Sequence, residues 1–174
     1  NWYQVATEVV SEQRELIAYF EQLERAGTSA PYPKWFRVTE QFKDPAVQAR
    51  AIEELKAFAN PSMPEGLRLT NFRMTTGLLF SIKRTDEAIA FCRQGLEQFP
   101  EDGELLNNAA YILAKELGKA DEAMPLAEKA VQVAPGSADA FDTLGYVQFL
   151  GKKYPEASKS LSQAYNLASG ANNF

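Results

Sequence analysis

Three alanines, each directly behind a glutamate, set the frame of this chain. They stand in Asp86-Glu87-Ala88, Asp121-Glu122-Ala123 and Pro155-Glu156-Ala157, spaced 35 and then 34 residues apart. Seven residues after each comes another small residue, Gly95, Ala130 and Ala164, and twelve after come Pro100, Pro135 and then Ser169, so the third unit lacks the closing proline. Self-similarity at such a period marks stacked supersecondary units, because one unit cannot bury its apolar face alone.

Upstream of each alanine lies a second pattern: Phe72, Thr75, Thr76 and Leu79, then Leu106, Ala109, Ala110 and Leu113, then Phe141, Leu144, Gly145 and Gln148. Offsets of three, four and seven trace one face of a helix. Each period therefore reads as two helices, and the small residues Ala110, Ala123, Ala130, Gly145, Ala157 and Ala164 allow them a close approach. Local end signals agree: Asp121 and Ser137 read as N-caps, and Pro155 fits a first helical turn. Pro125 also reads as a first-turn proline after Asp121, where no intrahelical partner is lost.

These residues resemble the tetratricopeptide repeat, W-x2-L-G-x2-Y, then A-x3-F, then P, over 34 residues. The third unit matches at Phe141, Leu144, Gly145, Ala157, Leu161 and Ala164. The second matches at Leu106, Ala109, Ala110, Leu113, Ala123, Ala127, Ala130 and Pro135, with one extra residue between its helices. The first departs more, with Thr75-Thr76 for the Leu-Gly pair and Cys92 in the aromatic place. The resemblance implies an all-α fold, a right-handed superhelical stack of antiparallel helix hairpins (an α-solenoid), with units at 69–102, 103–136 and 137–169 and a tail at 170–174.

Residues 1–68 do not hold the register but carry helical stripes, Val9, Leu16, Phe20 and Leu23, then Val47, Ala51, Leu55 and Phe58. Asp44-Pro45 supplies a cap and first-turn proline, and Asn60-Pro61 an end signal. Leu16 to Gly27 is similar to a repeat's first helix, and the whole region is expected to be diverged repeats or a helical cap. Tyr32, Trp35 and Phe36 follow a Pro-rich loop, and such a cluster packs a loop onto its own domain more often than it serves as an exposed binding anchor.

Charge and composition narrow the function. The net charge is −5 and the 18 basic residues are scattered, so nothing is built to neutralise a phosphate backbone, and nucleic acid is not an expected partner. No apolar run approaches the roughly 20 residues that span a bilayer, so no direct membrane insertion is expected. The opening Asn1-Trp2-Tyr3 has no initiator Met, which suggests a processed or excised chain. Both cytoplasm and periplasm are compatible with it, since one cysteine cannot form an internal disulfide.

The chain has no histidine, the commonest general base and metal ligand. No catalytic residue, metal site or cofactor is expected. Asp86-Glu87, Asp121-Glu122 and Glu53-Glu54 are adjacent pairs that point apart on a helix, and acids in a first turn are favoured by the dipole. Cys92 falls in the interhelical core with no base beside it. Lys152-Lys153 reads as a solvated turn.

More telling are first-helix residues outside the packing face: Arg73, Gly77 and Phe80, then Asn107, Tyr111 and Ala114, then Asp142, Tyr146 and Phe149. Spacing four then three gives each trio its own stripe. In proteins the chain resembles, this stripe lines a concave groove and holds a partner, so the expected binding residues are Arg73, Phe80, Asn107, Tyr111, Asp142, Tyr146 and Phe149. Their aromatic floor, with Asp142, Asp139 and Glu104 nearby, suits a protein or peptide segment that is apolar with some positive charge. Some co-chaperones of the family clamp a C-terminal carboxylate with lysine, arginine and asparagine side chains. The matching places here hold Arg73, Gly77, Tyr111, Asp139 and Thr143, a set that should repel a carboxylate. A non-catalytic binding scaffold is the first reading. The second is an assembly segment that self-associates or docks through its terminal repeat face, which has no polar capping helix.

Overall fold

The computed structural model describes residues 45–57, 59, 61 and 65–170. Seven α-helices and no strand run through them: α1 (Pro45–Ala57), α2 (Glu65–Ser81), α3 (Thr85–Gln98), α4 (Gly103–Lys115), α5 (Ala120–Val133), α6 (Ala138–Leu150) and α7 (Tyr154–Ala168). The chain divides into two compact units, Asn1–Leu78 and Leu79–Phe174, with the division inside α2.

In the first unit α1 opens at Pro45, as a first-turn proline should. Ile52 and Leu55 are both fully buried, so the inward face of α1 includes Ile52, which the expected stripe had left out. Asn71 of α2 donates its side-chain amide to the Leu55 carbonyl at 2.8 Å. That carbonyl belongs to the last turn of α1, where no intrahelical donor follows, so the bond satisfies a group that burial would otherwise penalise. Thr75 then donates to Asn71 Oδ1 at 3.1 Å. The Thr75-Thr76 departure from Leu-Gly therefore puts polar side chains in the core, and Thr75 has a defined bonding task there. The stripe at Val9, Leu16, Phe20 and Leu23, the Leu16–Gly27 segment, the Trp35 cluster, Asp44, Phe58, Asn60 and the side chains of Val47 and Ala51 lie outside the described residues.

In the second unit the repeat shows as turn chemistry. Between α3 and α4 the chain stops at Phe99-Pro100, and Asp102 Oδ1 accepts from Leu105 N at 2.9 Å. Between α5 and α6 it stops at Ala134-Pro135, and Ser137 Oγ accepts from Ala140 N at 3.2 Å. A cap of this kind is worth about 1 kcal/mol. Ser137 caps as expected; Asp102 occupies the equivalent place one period earlier.

The turns within each pair of helices share a different device. A residue five before each alanine takes the left-handed conformation: Lys83 (φ 64), Gly118 (φ 64) and Lys152 (φ 59). Arg84 N then reaches back to the Leu79 carbonyl at 2.9 Å, and Lys153 N to Gln148 at 2.9 Å, the closing bond of a Schellman turn. In the middle pair the corresponding bond spans one more residue, from Lys119 N to Leu113 at 2.8 Å, which is how the extra residue of that unit is absorbed. The exposed turn at Lys152-Lys153 agrees with expectation.

Two sequence expectations fail together at α5. The helix starts at Ala120, with Lys119 at the N-cap and no side-chain capping bond, so Asp121 is its second residue and not its cap. Pro125 consequently lies inside the helix, past the first turn, and the Asp121 carbonyl loses the partner it would otherwise have. The turn residue Gly118 sets the start of this helix, and it does so ahead of the nearest good capping side chain.

α4 pairs with α5 and α6 with α7, α3 lies against α4, α5 against α6, and α4 against α6. Ala88, Ala109, Ala110, Ala123, Ala127 and Ala130 are all fully buried, as the small-residue register requires. Leu106, Ala130 and Ala140 form a core cluster against which Leu96, Leu126, Val131 and Val133 pack. Cys92 is fully buried, with its Sγ 3.2 Å from the Leu105 carbonyl. Its sequence placement in the core holds.

Candidate functional site

The trios on the first helices meet different fates. Tyr111 of α4 and Asp142, Tyr146 and Phe149 of α6 line one groove of about 390 Å³, together with Lys115 and Leu161 of α7. One turn along α4 separates Tyr111 from Lys115, and α6 contributes a three-residue stripe of its own. Phe149 is 56% exposed and Asp142 is exposed, while Tyr111 and Tyr146 are half-buried. Apolar ring surface is thus left facing solvent beside a carboxylate.

Phe80 meets Tyr111 edge-on, with ring centroids 5.7 Å apart and planes at 73°. Lys115 Nζ stands 4.8 Å from the Tyr111 ring centroid and donates to the Tyr111 hydroxyl. That hydrogen bond raises the Lys115 pKa above its ordinary value, because it favours the charged ammonium. Lys83 lies 5.6 Å over the Phe80 ring and 3.7 Å from Glu116. The aromatic pair is therefore flanked by two cations at its rim. At the other end Phe149 contacts Tyr154 of α7, with centroids 5.7 Å apart.

Asn107 is half-buried on α4, and its Oδ1 is buried with no hydrogen-bond partner among the described residues. Arg73 and Gly77 lie on the part of α2 that belongs to the first unit, Arg73 half-buried and Gly77 exposed. Ala114 is only 3% exposed and belongs to the core, not to a ligand-facing stripe; α6 lies against α4, so the last position of the α4 trio is enclosed. Of the clamp positions, Thr143 is buried and Asp139 exposed.

Two lining residues escaped the sequence reading. Lys115 sits four residues after Tyr111 and was hidden by its position at the end of α4. Leu161 was assigned to the contact between paired helices, and it does cover Gly145, but it is 41% exposed. Its counterparts one and two periods back, Ala127 and Cys92, are fully buried.

These turns, caps and small-residue contacts define the fold as a helical repeat of the tetratricopeptide type. Solved structures of MamA, a tetratricopeptide-repeat protein, have the same fold. One MamA crystal structure is 17% identical in sequence, covering 91% of this chain and 90% of its own, with a TM-score of 0.65. MamA 41-end from Desulfovibrio magneticus RS-1 is 12% identical, covers 99% of this chain and 96% of its own, and has a TM-score of 0.68. A MamA RS-1 double mutant is 14% identical over 100% of this chain and 94% of its own, at 0.68. No family model and no curated protein matches the sequence. Among the described residues no helix is long and apolar enough to cross a membrane.

Proposed function

We propose that this chain is a non-catalytic scaffold that holds a segment of another protein in the groove of Tyr111, Asp142, Tyr146 and Phe149. The observation that carries the reading is the convergence of three aromatic rings from successive first helices, beside an exposed carboxylate, in one groove. Aromatic rings offer large contact area at low entropic cost. The occupant is apolar, helical or extended, with a cation placed for Asp142. Phe80 and Asn107 extend the surface along the same stripe, and Arg73 is the binding residue proposed for the first unit. In this reading 69–102, 103–136 and 137–169 act as repeat units, and 1–68 as diverged repeats or a cap.

Catalysis finds little support in the groove. Lys115, the amine among its described lining residues, has its pKa raised by Tyr111, the opposite of what a general base near neutrality needs. The test begins with a pulldown to identify the bound protein, followed by titration of its minimal segment into purified variants. Tyr111→Ala, Tyr146→Ala and Phe149→Ala should each weaken binding by about 1–2 kcal/mol with circular dichroism unchanged. Unchanged affinity in all three folded variants would place recognition elsewhere.

A further inference from the structure

The groove of Tyr111 and Tyr146 carries two opposite charges that do not pair with each other. Lys115 and Asp142 both line it and both are exposed, and neither makes an ion pair among the described residues. Lys115 gives one N–H to the Tyr111 hydroxyl and keeps two for a further acceptor. The same bond holds the amine in its charged form. The neighbouring Glu116 carboxylate is engaged by Lys83 at 3.7 Å. Asp142 accepts no hydrogen bond from a described residue.

The repeat register says where the two charges stand. α4 and α6 run in the same direction, since each forms an antiparallel pair with α5 between them, and Tyr146 follows Tyr111 by one period. In that register Asp142 takes the place of Asn107, one turn before the tyrosines, and Lys115 lies one turn after them. The two levels are separated by eight residues of helix, about 12 Å along the groove. Tyr111, Tyr146, Phe149 and Leu161 supply its apolar lining. A segment lying along the groove therefore meets an anion at one end, ring surface, and a cation at the other.

We propose that the occupant of this groove is a dipolar segment of a partner protein, an apolar stretch with a lysine or arginine at the Asp142 end and an aspartate or glutamate at the Lys115 end. The inference rests on the groove being a protein-binding site, and it adds to that reading a second charge, a spacing and a direction. The separation corresponds to about eight residues of a bound helix or about four of an extended chain. A segment with two like charges satisfies one end and is repelled at the other. One threaded backwards sets like charges together at both. The rings provide contact area, and the charges choose the orientation.

The probe is a display library of random dodecapeptides selected on the immobilised full chain. Enriched peptides should carry one basic and one acidic residue, at either spacing, around an apolar centre. An enriched peptide is then labelled and titrated into variants by fluorescence anisotropy, with circular dichroism as the check on folding. Lys115→Glu and Asp142→Lys, both at exposed positions, should each weaken it by about tenfold. Exchanging the peptide's acid for lysine should restore binding to Lys115→Glu, and exchanging its base for glutamate should restore binding to Asp142→Lys. Enriched peptides without the charge pair, or no enrichment at all, overturn the inference. Binding weakened by Phe149→Ala but indifferent to both charge reversals also overturns it while leaving the groove as the binding site. Binding indifferent to Phe149→Ala, Tyr146→Ala and both reversals removes the groove reading as well.

Discussion

Gly145 holds α6 against α7, and substituting it tests how much of the fold depends on that approach. A Cβ at this position would lie 2.7 Å from Leu161 Cγ, 2.8 Å from Leu161 Cδ2 and 3.2 Å from the Ala157 carbonyl oxygen. Leu161 is partly exposed and can swing outward, but the Ala157 carbonyl is fixed in the ladder of α7. Alanine in a helix interior gains about 0.5–1 kcal/mol over glycine. Forcing extra volume into a packed contact costs about 1–3 kcal/mol. Gly145→Ala should therefore be destabilising by about 1 kcal/mol net, and Gly145→Leu by about 2–3 kcal/mol, as its branch meets the fixed carbonyl as well. For a chain of this length each kcal/mol corresponds to roughly 2–4 °C in Tm. Urea titration followed by circular dichroism reads the difference as a shift of midpoint at constant slope. Gly77 provides the control, since a Cβ there meets nothing within 4 Å among the described residues: Gly77→Ala should stabilise by about 0.5–1 kcal/mol. Adding Leu161→Ala to Gly145→Ala removes the two nearest atoms, so the pair should be non-additive in the rescuing direction. If Gly145→Ala raises the midpoint as Gly77→Ala does, the close contact between α6 and α7 does not exist and the reasoning fails.

Two further outcomes follow from the turns. Lys152 holds a left-handed conformation that costs a residue with a Cβ roughly 1–2 kcal/mol, so Lys152→Gly should raise the denaturation midpoint, whereas Lys153→Gly, one residue on, should not. Asp102→Ala removes the acceptor for Leu105 N and should cost about 1–2 kcal/mol; Asp102→Ser, which can still cap, should recover most of it in the same titration.

Much of the fold was legible because its governing constraint is local and repeated. Small residues at a fixed period, proline after α3 and α5 and a capping side chain before α4 and α6 act within a few residues of where they stand. Boundaries were least legible where two local signals competed. At α5 the turn geometry of Gly118 prevailed over Asp121 as a cap, and Pro125 lies past the first turn, deeper in the helix than expected. The Asn71–Leu55 bond was out of reach because it depends on where the end of one helix meets the side of another.

For the site the line falls at the same place. Sequence alone determined that Asp142, Tyr146 and Phe149 share one helical stripe and that Tyr111 holds the place of Tyr146 one period earlier, because side-chain direction follows from the period of the helix. It also fixed the burial of Cys92 and the capping role of Ser137. Only the tertiary structure decided that those four residues enclose a common groove with Lys115 and Leu161, that Ala114 is withdrawn into the core, and that Leu161 and Tyr165 remain bare. A residue's spacing says which way it points, but its exposure depends on whether a neighbouring helix lies there to cover it.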